Sequence, residues 1–207
     1  DKCLTCHAPM ARTHAHQTGT GLDADGHYRM ETARDEDHAR EGVSCTLCHQ
    51  IRDDGRLGEA FSGDYVIGDD IDSAEIFGPY SDPFGRIMER ATGYTPDFRA
   101  HMSDSELCAV CHTLRTPTVD PATGEPTGGE FLEQAAFLEW ENSDYAEGRP
   151  LEASCQDCHM PEQGPEGYAT HIAVRPDGTV NEAWPERAPF SEHVFVGGNT
   201  WLLTVLK

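Results

Sequence analysis

Eight cysteines and four of the eleven histidines fall into one repeated spacing, Cys-x-x-Cys-His: Cys3/Cys6/His7, Cys45/Cys48/His49, Cys108/Cys111/His112 and Cys155/Cys158/His159. Two thiols so spaced can add across the vinyl groups of a porphyrin, and the imidazole that follows can bind its iron from below. This is the attachment chemistry of c-type haem. Thiolates also make tetrahedral zinc sites, but zinc does not require a His directly after every second Cys. With 11 His in 207 residues, four such placements out of four arise by chance roughly once in 10⁵. All eight cysteines are used, which leaves none for a disulfide.

Four haems would take His7, His49, His112 and His159 as proximal iron ligands, and the opposite face of each iron then decides the chemistry. A second His gives a low-potential electron carrier, a Met raises the potential, and an open face binds small molecules. Seven histidines remain: His14, His16, His27, His38, His101, His171 and His193. His38 and His101 each stand seven residues before a motif, at Cys45 and Cys108, and are expected as distal ligands. His193, between aromatic and β-branched neighbours and before Gly197-Gly198, is a third. His171 is the fourth, with His16 and His14 in reserve. Met10, Met30, Met88, Met102 and Met160 are the other conceivable axial ligands.

The elements that must carry these residues read as short. Thr32 to Gly42 suits a helix bearing His38, closed by Gly42. Ser103-x-x-Glu106 reads as a capping box opening the helix with Cys108–His112. Phe84, Ile87, Met88 and Ala91 share one helical face, predicting a buried-face helix over 83–92. Residues 52–82 read as an acidic surface loop and 117–129 as a turn-rich loop. An amphipathic helix is expected over 130–142, and a small hairpin around Pro176-Asp177-Gly178. Asp23-Ala24-Asp25-Gly26 looks like part of a calcium loop but lacks the downstream Glu. Calcium is therefore only a secondary cofactor expectation beside four haems.

In bulk, the chain offers about 52 residues per haem, a hydrophobic fraction of 37%, 20 Gly and 13 Pro. Such a chain makes one domain over 1–207: mainly α, with extensive loops and little β, wrapped on haems that supply much of the core. The net charge of −22, from 37 acidic against 15 basic residues, excludes nucleic-acid and anionic-membrane binding and favours basic redox partners. No run approaches the roughly 18 apolar residues of a membrane span. Haem is joined to such motifs outside the cytoplasmic membrane, so a periplasmic or extracellular protein is expected. The first motif begins at Cys3 with no leader before it, which reads as a mature or trimmed form. The apolar run 201–207 either docks on a partner or haem or continues beyond Lys207.

Taken together, these motifs resemble a multihaem c-type cytochrome superfamily. The shared features are the four Cys-x-x-Cys-His sites, His38 and His101 upstream of motifs, Glu133 with Glu139-Trp140-x-x-Ser143, Cys158-His159-Met160-Pro161, and His193-x-Phe195-x-Gly197-Gly198-Asn199. The superfamily includes the tetrahaem electron acceptors of ammonia oxidisers and larger exported or filament-forming cytochromes. The resemblance implies closely spaced haem pairs, mostly with two His per iron, and electron transfer as the function. It leaves open a subunit of an extracellular cytochrome filament, in which a His of one copy ligates a haem of the next. It also leaves open an enzyme acting on small nitrogen or sulfur species at one open haem.

Overall fold

The structure is a computed structural model that describes residues 1–68, 74–162, 170–195, 197 and 205. Helices α1 (Lys2–His7), α2 (Pro9–Thr18), α3 (Met30–Asp35), α4 (Asp37–Arg40) and α5 (Cys45–Cys48) come first. Strand β1 (Glu75–Gly78), helix α6 (Gly85–Thr92), strand β2 (Thr95–Phe98) and a 3₁₀ turn (Ala100–Ser103) follow. Then come α7 (Glu106–His112), β3 (Leu114–Val119), β4 (Pro126–Gln134), α8 (Ala136–Glu141) and α9 (Cys155–His159). No helix among the described residues is long and apolar enough to cross a membrane.

The fold is mixed rather than mainly α, with 33% helix and 18% strand. The difference is sharpest at 114–134, where a loop and the start of a long helix were expected. The chain instead forms an antiparallel hairpin pairing Thr116 with Phe131 and Pro117 with Glu130. Thr116, Thr118 and Val119 favour extended backbone, and Gly128-Gly129 disfavours helix. The connection is closed by Asp120, whose Oδ1 accepts from Ala122 N at 2.7 Å, and by Gly124 at φ +75. Only Ala136–Glu141 of the expected 130–142 helix is helical, so Phe131 and Leu132 are exposed.

Smaller departures have local causes. The helix expected over 32–42 is two, interrupted at Glu36 with extended backbone (φ −100, ψ 130). It starts at Met30, so Thr32 lies inside it, and the chain turns at Gly42 with φ +65. Ser103 closes a 3₁₀ turn rather than capping α7. Helix α6 forms as expected, but none of its residues is fully buried. The hairpin at Pro176-Asp177-Gly178 is present, bridging Val174 to Val180. Asp69, Asp70 and Asp72 of the acidic loop, Gly198-Asn199 and most of the terminal apolar run lie outside the described residues.

The chain divides into two compact units, each built from two segments: residues 1–77 with 106–138, and 78–105 with 139–207. In the first unit, Leu4, Ala8, Ala11, Ala15, Ala33 and Ala39 pack around Tyr28, joining α1–α4. The alanines at 8, 11 and 15 recur at helical spacing and let backbones approach closely. In the second unit, the buried Arg187 guanidinium lies 5.4 Å from the Tyr80 ring centroid and 5.3 Å from that of Phe84. It donates to Asp82 Oδ1 at 2.5 Å and to Asp82 O at 2.6 Å.

The hydrophobic core is small. Among the described residues it numbers sixteen hydrophobic side chains, half of them alanine. Much apolar surface, including Met30, Val43, Phe98, Leu151 and Ile172, is uncovered by the polypeptide itself.

Candidate functional site

Each Cys-x-x-Cys-His stretch forms a short helix or the last turns of one, which brings the first and second Cys onto neighbouring turns ahead of the His. The first unit contains three of these motifs, and the second contains the fourth. Helix α9 has a full capping box: Asp157 N donates to Ser154 Oγ at 3.1 Å, and Ser154 N donates to Asp157 Oδ2 at 2.7 Å.

Within the first unit the motifs meet at their sulfurs. The side chains of Cys6 and Cys111 interact, which holds the Cys6 thiol below its ordinary value and raises that of Cys111. Cys48 lies near enough to act electrostatically on Cys111, and burial raises its own thiol. Cys3, Cys45 and Cys158 are exposed, and Cys6, Cys48, Cys108, Cys111 and Cys155 are half-buried. Among the described residues no group of three or more His, Cys, Asp or Glu converges as a metal cage requires.

At the second motif, His49 is held against strand β1. Phe77 N donates to His49 O at 2.7 Å, and His49 Nδ1 lies 2.6 Å from Phe77 O. With the proton on Nδ1 pointing to that carbonyl, the tautomer carries its lone pair on Nε2, the arrangement that orients an imidazole toward a metal. His7, His112 and His159 are exposed.

The distal candidates divide between the units. His38 is exposed on α4, and the chain just after it passes motif 1: a Cβ on Gly42 would lie 3.8 Å from His7 O. His14 and His16 lie on the exposed side of α2. His16 Nε2 is 3.3 Å and His27 Nδ1 3.6 Å from Asp1 Oδ2, and Arg12 Nε donates to Asp1 Oδ1 at 2.7 Å. Burial, with Arg12 and His27 nearby, lowers the His16 pKa. In the second unit, His101 is buried and its segment is tied to the fourth motif. There Cys155 N donates to Ser105 Oγ at 2.9 Å, and Gln156 Nε2 donates to Asp104 O at 2.8 Å. The segment of His193 borders the exit of that motif, with Glu192 N donating to Pro161 O at 3.2 Å. The exposed His193 ring lies edge-on to Phe195 at 5.9 Å. His171 Nε2 is 3.5 Å from Glu186 Oε1, and its Nδ1 is buried without a hydrogen-bond partner among the described residues.

The loop considered for calcium spends its carboxylate on the protein. Asp23 Oδ1 accepts from Asp25 N and His27 N, each at 2.9 Å, and Oδ2 pairs with Arg29.

Sequence reasoning missed the contribution of the acidic loop at 61–65. Ser62 N donates to Thr113 O at 2.9 Å, Gly63 N to Val110 O at 2.7 Å, and Tyr65 Oη to Thr5 O at 2.9 Å. The same stretch and helix α2 border a cleft of about 340 Å³ between Arg12 and His16 on one side and Gly63, Tyr65 and Val66 on the other. Nothing in the local sequence distinguishes these residues from an ordinary surface turn. Comparison of the chain with protein-family models, curated proteins and solved structures finds no match.

Proposed function

We propose that this chain is an exported tetrahaem c-type cytochrome that passes electrons between redox partners. Cys3/Cys6, Cys45/Cys48, Cys108/Cys111 and Cys155/Cys158 hold the four haems through thioethers. His7, His49, His112 and His159 are the proximal ligands, and His38, His101, His171 and His193 the leading distal ones. When bound, the haems supply one-electron chemistry; the protein supplies attachment, axial imidazoles, spacing and the dielectric around each iron.

The observation that carries this reading is the fourfold Cys-x-x-Cys-His spacing, which uses all eight cysteines and sets a His directly after every pair. Electron transfer wants redox centres near one another; a zinc site also joins Cys-x-x-Cys pairs, but it has no use for a His directly after each pair. The alanine-rich core and the uncovered apolar side chains support the same reading, because flat macrocycles would complete that core. The net charge of −22 would steer a basic donor or acceptor onto the chain.

The test is an intact mass of the purified, haem-loaded protein, together with visible and EPR spectra in both oxidation states. The expected result is four covalent haems, low-spin irons and no spectral change with CO or cyanide. A mass without covalent haem, or a metal other than iron, refutes the assignment. A high-spin iron with turnover of nitrite, hydroxylamine or NO would replace the carrier reading with an enzyme.

A further inference from the structure

Two consecutive residues in the first unit take left-handed backbone: Ser62 at φ 62 and Gly63 at φ 80. A non-glycine residue there is disfavoured and persists only where surrounding contacts impose it. The contacts lie on both sides of the turn. On one side, Ser62 N and Gly63 N donate to Thr113 O and Val110 O, carbonyls at the end of the third motif's helix that the helix itself leaves unpaired. Ser62 Oγ accepts from Arg115 N at 3.0 Å. On the other side the turn presses on the first motif. A Cβ built on Gly63 would lie 2.3 Å from Thr5 Cγ2, 2.9 Å from Thr5 Cβ and 3.4 Å from Cys6 Sγ. Thr5 is buried within the first motif, between Cys3 and Cys6, and its carbonyl accepts from Tyr65 Oη. Lys2 Nζ adds a further tie, donating to Arg115 O at 2.9 Å.

We propose that Ser62-Gly63 is a positioning clasp that holds the first and third attachment motifs at contact distance, and so sets the approach of the haems they carry. The inference rests on the tetrahaem reading. With haem attached, each motif sulfur would be a thioether on the periphery of its own porphyrin, so a turn lodged between Thr5–Cys6 and the end of the third motif's helix would govern how closely the two groups approach. The missing side chain at Gly63 is what permits the approach: any Cβ would displace Thr5, and with it the backbone next to Cys6. Ser62 and Gly63 are positioning residues, since they touch the motifs and not the iron.

The test uses the full haem-loaded chain with Gly63→Val, against Gly78→Ala as a control, where a Cβ meets nothing within 4 Å. Covalent haem is first counted by intact mass. The oxidised EPR spectrum is then examined for the magnetic interaction between neighbouring low-spin irons, and a redox titration follows the same pair. Wild type and Gly78→Ala should show an interacting pair that disappears when either Cys3/Cys6 or Cys108/Cys111 is replaced, but not when Cys155/Cys158 is. Gly63→Val should keep four haems and lose the interaction. Haem loss in Gly63→Val, mapped by peptide mass to the first or third motif, supports the clasp equally; loss mapped to the second or fourth overturns it. Should Gly63→Val not fold, Gly63→Ala combined with Thr5→Gly removes both contacts shorter than 3.0 Å and must recover the interacting pair, or the clasp is wrong. Four haems with an unchanged interaction in Gly63→Val, or no interaction in wild type, also overturn the proposal while leaving the tetrahaem assignment standing. Wild type without covalent haem removes the assignment itself.

Discussion

Tyr28 is the side chain whose removal most directly tests how the first motif is supported. Its ring has no exposed surface and packs among Leu4, Ala8, Ala11, Ala15, Ala33 and Ala39, so it buttresses α1 and α2 from beneath. Its hydroxyl donates to Glu36 Oε2 at 2.6 Å. Tyr28→Phe deletes only that bond. A hydrogen bond to a charged group contributes about 1.5–3 kcal/mol, and half-buried Glu36 can rehydrate, so the lower end applies: about 1.5 kcal/mol. Tyr28→Ala also leaves a ring-sized void that small alanine neighbours cannot fill, and large aromatic deletions cost about 3–5 kcal/mol. At about 2–4 °C per kcal/mol for a chain of this size, Tyr28→Phe should lower the melting temperature by about 3–6 °C and Tyr28→Ala by about 10 °C or more. Thermal melts of the haem-loaded protein, followed by far-ultraviolet circular dichroism, measure both. The pH dependence supplies a second check. Burial and Glu36 push the phenol above its ordinary value, so the folded state holds its proton where the unfolded state has lost it. Stability therefore falls as pH rises beyond about 10, and the gap between wild type and Tyr28→Phe should narrow there. Equal melting temperatures for wild type and Tyr28→Phe, or a Tyr28→Ala loss no larger than that of Tyr28→Phe, would refute the reasoning.

Three further outcomes are expected. Asp23 is held at about 2 by the His27 amide and Arg29, so the 22–28 loop keeps its closure above the ordinary carboxylate range and loses it as pH falls toward 2. Amide exchange at Asp25 and His27 should accelerate in that window, and Asp23→Ala should show fast exchange at every pH. Arg187→Lys loses the planar stack on Tyr80 and Phe84 and one of two contacts to Asp82. Because the Asp82 side chain is mostly exposed, a loss of about 1–2 kcal/mol is expected, with faster exchange in 170–187 than in 1–40. Ser154→Ala breaks the capping box before the fourth motif and should cost about 1 kcal/mol, seen as faster exchange at the Asp157 amide, while Ser154→Asp retains most of the stability.

Legibility differed by element. The Cys-x-x-Cys-His spacings, the helix bearing Cys108–His112 and the turn at Pro176-Asp177-Gly178 could be read directly, because each depends on neighbours within a few residues. The hairpin at 114–134 could not, since Phe131, Leu132 and Trp140 also fit a helical face and only strand pairing with Thr116 and Arg115 decides between the two. The helix at 85–92 was legible as a helix, but its degree of burial was not, because burial depends on what packs against Phe84, namely Trp184 at 6.3 Å and Arg187.

From sequence alone comes the ground of the haem proposal: the Cys-x-x-Cys-His spacing lies within five consecutive residues, and no distant contact is needed to read it. Its acidity is likewise a property of composition. Tertiary structure alone decided which motifs become neighbours, that Cys6 meets Cys111, that Phe77 steadies His49, and that a turn at Ser62-Gly63 lies between two motifs more than a hundred residues apart. Those contacts follow from chain closure and from the space glycine leaves unfilled, and neither is encoded in the local spacing of residue types.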